Sequence, residues 1–273
     1  MTKRIASFRV AGMEDPLIEM PGESVYAIRA PKMHTGSKRP AGWRGAEHGL
    51  VVHTTGSGLP ERAHNLGLYP TVVAADYYFK SHGPHYVCGW RGFEGGDLLQ
   101  VANEEVQANG VGTTDQRNAE KGDWTKAINL TTKKRMTDAV IKQWRKRWPD
   151  ARDPRALLPG TKTVNSCFIQ VEMIPCIFPV KGKTFTGAQP MRKGLKFTLE
   201  QHDTIAFLAV DIATRLGWPE GWQRSTRLLG HEDVTPISRT DKNGGWDPGG
   251  MRANPYFDWE YVYSVIDDLL NEG

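Results

Sequence analysis

The chain of 273 residues has only three cysteines, Cys88, Cys167 and Cys176, and no C-x-x-C pair. An odd and sparse set gives no disulfide framework, zinc knuckle or dithiol redox motif, so the three read as small buried apolar residues. No apolar run approaches the ~18 residues of a membrane-spanning helix. Met1 to Val10 holds Lys3 and Arg4 with no apolar stretch behind them, and a secretory leader needs one. The expectation is a chain made in the cytoplasm, without membrane insertion, that reaches any outside substrate by another route. Internal repeats and low-complexity tracts are lacking, which excludes a solenoid. Charge of one sign is scarce too: 35 Lys and Arg stand against 31 Asp and Glu, a formal net charge of +4. That excess suits an anionic partner such as cell wall or nucleic acid but is too small to choose between them. A solvated basic surface is the simpler reading.

What is present fits a globular domain with a buried core: 39% apolar and 24% charged residues. The 29 glycines imply long, shaped loops around a modest framework. Residues 1–47, rich in Pro, Gly and basic side chains, read as an extended arm with one short strand at 24–28. Gly49 to His53 is a short apolar run before a polar loop, which reads as a buried strand and a tight turn. Segment 60–79 reads as helix beginning near Pro70. Residues 85–88 and 97–102, separated by a glycine-rich turn, resemble a hairpin. Residues 125–148 are helical in composition and strongly basic, and a solvated helix face is the plainer account. Pro149, Pro154 and Pro159 end any helix there. Phe168 to Ile174 reads as a strand, with Gln170 and Glu172 on one face by the two-residue period. Thr198 and Gln201 make a capping box opening a helix through Leu216, stopped by Gly217. Residues 258–270 read as a closing helix. The fold class is α/β: a mixed central sheet flanked by helices.

Three features carry chemistry. His53 ends a strand, Glu172 lies inside another, and a later segment runs from Gly230-His231-Glu232-Asp233-Val234 to Trp246-Asp247-Pro248-Gly249. Each alone has a bland explanation as a turn, edge or packing residue. Together they match the parts of a zinc hydrolase, in which two histidines and one carboxylate bind the ion, a fourth position stays open, and a separate carboxylate serves as general base.

The order and context of these stretches resemble the zinc-dependent N-acetylmuramoyl-L-alanine amidases of the type-2 amidase family, which includes bacteriophage lysis amidases and the peptidoglycan recognition proteins. Leu50 to Gly56 looks like the family's first strand with its closing zinc histidine. Pro84 to Val87 with Asp97 to Val101 looks like its hairpin. Asn165 to Met173 looks like the strand carrying the catalytic glutamate, and Phe197 to Leu216 like its helix. Gly230 to Val234 and Asp247 to Gly249 look like the segment with the other two ligands. The resemblance covers about 49–110 and 163–250, and implies an amidase domain over 48–273 with a basic helical insertion at about 113–161. It implies Zn²⁺ on His53, His231 and Asp247, Glu172 as base, and hydrolysis of the amide between N-acetylmuramic acid and L-alanine. The implied partner is peptidoglycan, glycan strand and stem peptide, and not nucleic acid. Substrate contacts are expected at His85, Trp90, Asn109 and Trp246. Three departures stand out. The family's aromatic-and-histidine motif after the hairpin is replaced by Val106 to Gly110. Gly245 stands where many members place an oxyanion-binding basic residue, so Lys242 is assigned that catalytic role, with Arg239 the other nearby cation. The insertion is unusually long. With no secretory leader expected, delivery as a phage endolysin or as an effector or component of an injecting particle both fit, and the sequence does not choose between them. The rival reading is a non-catalytic peptidoglycan-binding or particle-associated structural protein with the same fold.

Overall fold

The computed structural model describes residues 22–30, 32–35, 37–38, 49–56, 58–81, 83–110, 164–235, 247–250 and 254–272, with Asp138, Lys142, Lys146, Arg239 and Arg252 as single positions. Among these residues the elements run β1 (Ile28–Arg29), β2 (Ser37–Lys38), β3 (Gly49–Thr54), α1 (Gly58–Leu66), α2 (Pro70–Ser81), β4 (Tyr86–Cys88), β5 (Leu98–Gln100), β6 (Val106–Gln107) and, after a 3-10 turn at Val164–Ser166, β7 (Phe168–Met173). Then follow β8 (Ile177–Val180), β9 (Lys183–Thr186), α3 (Leu199–Leu216), a 3-10 turn at Trp222–Arg224, β10 (Leu228–Gly230), α4 (His231–Val234) and α5 (Trp259–Asn271).

The chain is mixed α/β. Six strands form the central sheet in the order β1-β5-β4-β7-β3-β10. The four strands β4, β7, β3 and β10 are parallel, and β5 turns back antiparallel to β4. Strands buried on both faces read as continuous apolar runs rather than alternating ones, which is why Leu50, Val51 and Val52 are all fully buried. Alternation still decides direction. Leu50, Val52, Ile169, Val171 and Met173 pack against Ile205, Leu208 and Ile212 of α3 and Val262 and Ile266 of α5. Their neighbours face the other way: Val51 and Phe168 meet Leu229 and Val234, and Val87 meets Ala74 and Tyr78 of α2. His53, Gln170 and Glu172 belong to this second face by the same two-residue period.

Helix α3 begins and ends where the sequence says it should. Thr198 Oγ1 accepts from Gln201 N–H at 3.2 Å, Gln201 Oε1 accepts from Thr198 N–H at 3.1 Å, and Gly217 closes the helix at φ 62°. Gln201 does more than cap. Its buried amide donates to the carbonyls of Ile174 (2.9 Å) and Cys88 (3.3 Å), tying the helix to the ends of β7 and β4.

Several elements differ from expectation. The arm's strand is Ile28–Arg29, pairing in parallel with β5, so this stretch is an edge of the central sheet. Segment 58–81 is two helices; α1 buries only Pro60 and Ala63, too few apolar residues to show a period. The β8–β9 hairpin is a further addition, and its two-residue turn Lys181-Gly182 has positive φ at both positions (48° and 79°), the geometry hairpins favour. Of the basic segment 113–161, Asp138, Lys142 and Lys146 are helical and exposed at four-residue steps, one solvated face; the remainder lies outside the described residues. No helix among the described residues is long and apolar enough to cross a membrane.

Candidate metal centre

Three separate parts of the chain meet at one end of the parallel strands. Strand β3 pairs with β7 so that His53 stands opposite Glu172. On its other side β10 pairs with β3, Gly230 opposite Val52, so His231, the next residue and the first of α4, falls beside His53. Asp247 arrives from the following segment and is anchored through both main chain and side chain. Its carbonyl accepts from Glu232 N–H at 2.8 Å, and its Oδ1 from Thr54 N–H at 2.7 Å.

His53 Nδ1 lies 3.0 Å from His231 Nδ1, and His231 Nδ1 lies 2.8 Å from Asp247 Oδ2. One ligand atom from each residue falls within 4.8 Å of the others, and all three side chains are buried. Tetrahedral zinc with ligands at ~2.0–2.1 Å keeps them roughly 3.3 Å apart, so the donor set fits an ion with small adjustments. Two ring nitrogens facing each other are poorly matched without a shared proton or cation. The group can hold a metal ion.

The electrostatics agree. Burial, then the neighbouring His231, pushes His53 down to about 3, so it stays neutral and its lone pair is available. Burial would raise Asp247, but His231, His53 and Arg239 hold its carboxyl below the usual range. Glu172 behaves in the opposite sense: burial and the adjacent Asp247 charge raise it to about 8, against the pull of Arg239 and the nearby Tyr78 hydroxyl. Its Oε2 is buried without a hydrogen-bond partner among the described residues. A carboxyl group with that environment is poised to exchange a proton near neutral pH.

Two side chains complete the centre. Tyr78, buried on the inner face of α2, lies near Glu172, and burial together with the Glu172 charge raises the phenol well above its ordinary value. Sequence reading passed over Tyr78; its only signal is the four-residue step from Ala74, which places both on the core face. Gly83 makes the position possible, because a Cβ there would stand 2.0 Å from Tyr78 Cδ1. Arg239 approaches Asp247 Oδ2 at 3.3 Å through Nε and is partly exposed. It is the cation that the described residues place at the centre; Lys242 and Trp246 lie outside them.

Of the expected groove contacts, His85 and Trp90 are engaged in packing. His85 is fully buried, accepts from Gln170 N–H on Nδ1 at 3.0 Å and donates through Nε2 to the Val106 carbonyl at 2.9 Å. With both ring nitrogens on the main chain, it pins β4 to β7 and does not reach a groove. Trp90 is half-buried, stacks on Phe178 at 6.0 Å and gives its indole N–H to the Pro175 carbonyl at 3.1 Å. It belongs to the seam between sheet and the β8–β9 hairpin. Asn109 is exposed in the loop after β6.

Compared with protein-family models, with curated proteins and with solved structures, the chain shows no significant match in any of the three.

Proposed function

We propose that this chain is a zinc-dependent N-acetylmuramoyl-L-alanine amidase, hydrolysing the amide between the lactyl group of N-acetylmuramic acid and L-alanine in peptidoglycan. The observation that carries the reading is the meeting of His53, His231 and Asp247 beside a buried glutamate raised to about 8. Two imidazoles and a carboxylate favour zinc, and a set of three leaves a fourth position open. Bound zinc supplies a Lewis acid and lowers the pKa of its water to about 7.

The chain's own groups do the rest. Glu172 takes the proton of the attacking water at a carboxylate oxygen and returns it to the leaving amine nitrogen, so acid and amine form with one water consumed. Tyr78, whose hydroxyl lies near Glu172, would orient the carboxylate. Arg239 places a guanidinium where negative charge develops on the carbonyl oxygen, the role otherwise assigned to Lys242.

Glu172→Ala tests the assignment. Zinc content stays near one per chain, while release of new amino termini from purified sacculi falls by about 10²-fold or more, the size of a general-base contribution. Activity retained in that variant would sink the catalytic reading. A wild-type chain that binds zinc and sacculi but releases no amino termini would make it a binding module instead.

A further inference from the structure

We propose that Thr55 is a further catalytic residue of the hydrolysis: its hydroxyl and Oε2 of Glu172 hold the attacking water between them, beside the group formed by His53, His231 and Asp247. The inference rests on the amidase reading of the centre and deepens it by assigning the group that aims the water.

Register sets the face of Thr55. The pairing of β3 with β7 runs one step past the end of β3, where Thr55 N–H donates to the Met173 carbonyl at 2.9 Å. Thr54 stands opposite Met173, so the next lateral neighbours are Thr55 and Ile174. Ile174 packs with Ala74, Tyr78 and Val87 on the second face of the sheet. Lateral neighbours share a face, and so do residues two apart along a strand. Both relations put Thr55 on the face of His53 and Glu172.

The hydroxyl has no structural task there. Thr55 is 4% exposed, and its Oγ1 is buried with no hydrogen-bond partner among the described residues. A threonine shortly before a helix ordinarily caps it. Here Leu59 N–H goes to the Gly56 carbonyl instead, at 3.4 Å. The neighbouring Thr54 hydroxyl does bond, to the Met173 carbonyl at 3.4 Å. Burying a polar atom without a partner is costly, so an orphaned hydroxyl beside a reactive centre points to a small ligand. Glu172 Oε2 is another such atom on this face. Glu172 stands opposite His53, two residues before Thr55, so the two are diagonal neighbours. Strand spacing and rise put such neighbours roughly 8 Å apart at the backbone, a gap that the glutamate arm and one water span. A water held there directs one proton at Glu172 Oε2 and the other at Thr55 Oγ1, with a lone pair left for the substrate carbonyl. Glu172 takes the first of these protons as the oxygen–carbon bond forms. The chain opens immediately beyond: a Cβ added at Gly56 would meet nothing within 4 Å.

The test uses the full chain and two readouts: turnover of soluble peptidoglycan fragments by zinc-loaded protein, and ordered water in high-resolution crystals of metal-free protein. Wild-type crystals show a water within about 3.2 Å of both Thr55 Oγ1 and Glu172 Oε2. Thr55→Val, equal in shape but with no hydroxyl, loses that water. Its zinc content and KM stay at the wild-type values while kcat falls by about tenfold or more, the cost of a misplaced nucleophile. Thr55→Ser restores the hydroxyl, the water and kcat to within about threefold of wild type. Thr55→Ala takes the place of Thr55→Val if that variant fails to fold. A kcat within about twofold of wild type in the folded variant without a hydroxyl, or a Thr55 hydroxyl bonded to a protein group with no water beside Glu172, overturns the proposal. Active wild type with an unimpaired Thr55→Val defeats this inference alone, whereas a wild type that releases no amino termini defeats the amidase reading and this inference with it.

Discussion

At the scale of single residues the centre is a set of opposed titrations. Burial holds His53 and His202 neutral, at about 3 and about 4, and holds Glu172 protonated up to about 8. His202 is fixed on both nitrogens: Nδ1 donates to the Thr198 carbonyl at 2.7 Å, Nε2 accepts from Asp258 N–H at 3.0 Å, and the ring stacks on Phe257. The signs follow from linkage. Below about pH 6.5 the unfolded chain takes up protons that the folded histidines refuse, so stability falls as pH drops toward 4 and 3. Between about 4.5 and 8 the folded chain keeps a proton on Glu172 that the unfolded chain releases, so stability falls as pH rises through that window. The thermal midpoint of metal-free protein, measured across pH 4 to 8, should therefore pass through a maximum, and Glu172→Gln should remove the decline on its alkaline side. A decline unchanged in that variant would mean that Glu172 is not its source. Tyr78→Phe removes the hydroxyl near Glu172 and leaves the ring in place. Hydrolysis should drop by about tenfold or more as the base loses its orientation, with zinc content unchanged; equal turnover would reduce Tyr78 to packing.

At the scale of elements, what matters is how closely three strands approach. Gly49 opens β3 where a Cβ would meet the Arg227 carbonyl at 2.3 Å and the Phe168 ring at 2.5 Å. Backbone on one side and an aromatic ring on the other leave little freedom to yield. Gly49→Ala should cost about 1–3 kcal/mol in denaturant unfolding, the range for overpacking. Because β3 and β10 carry His53 and the approach to His231, the same variant should bind zinc more weakly; unchanged stability and affinity would mean the strands tolerate separation. Elements also show where sequence reading succeeds. The Thr198–Gln201 box and Gly217 are local signals, satisfied within one helical turn, and α3 obeys them. Helix α1 and the β8–β9 hairpin escaped because their apolar faces are small or borrowed: α1 shelters two residues, and the hairpin's Phe178 and Phe185 find their partners in Trp90 and His64.

At the scale of the whole molecule the centre sits at the carboxyl ends of parallel strands, where α/β sheets present their ligands. A cation there would join residues as far apart as His53 and Asp247 across the sheet. Any ligand bound only by the folded chain adds RT ln(1 + [L]/Kd), about 4 kcal/mol at a thousandfold excess over Kd. Zinc should raise the thermal midpoint, and a chelator should reverse it, with amide exchange quickening at 247–250 and little altered within α3. A midpoint indifferent to zinc and chelator would remove the centre as a metal site.

The sequence by itself determined the α/β class, the strands at 49–53 and 168–174, the long capped helix, and the candidate set His53, Glu172, His231 and Asp247. Those follow from periodicity, capping and residue type, which act over a few neighbours. Only the tertiary structure decided that the set converges, that Tyr78 joins it, that Arg239 is the cation described beside it, and that His85 and Trp90 are taken up by main-chain and aromatic packing. These depend on parallel register and on contacts across roughly 80 to 190 residues of chain, set by β-pairing and side-chain packing. No local pattern specifies which buried polar atom will find which partner across that distance.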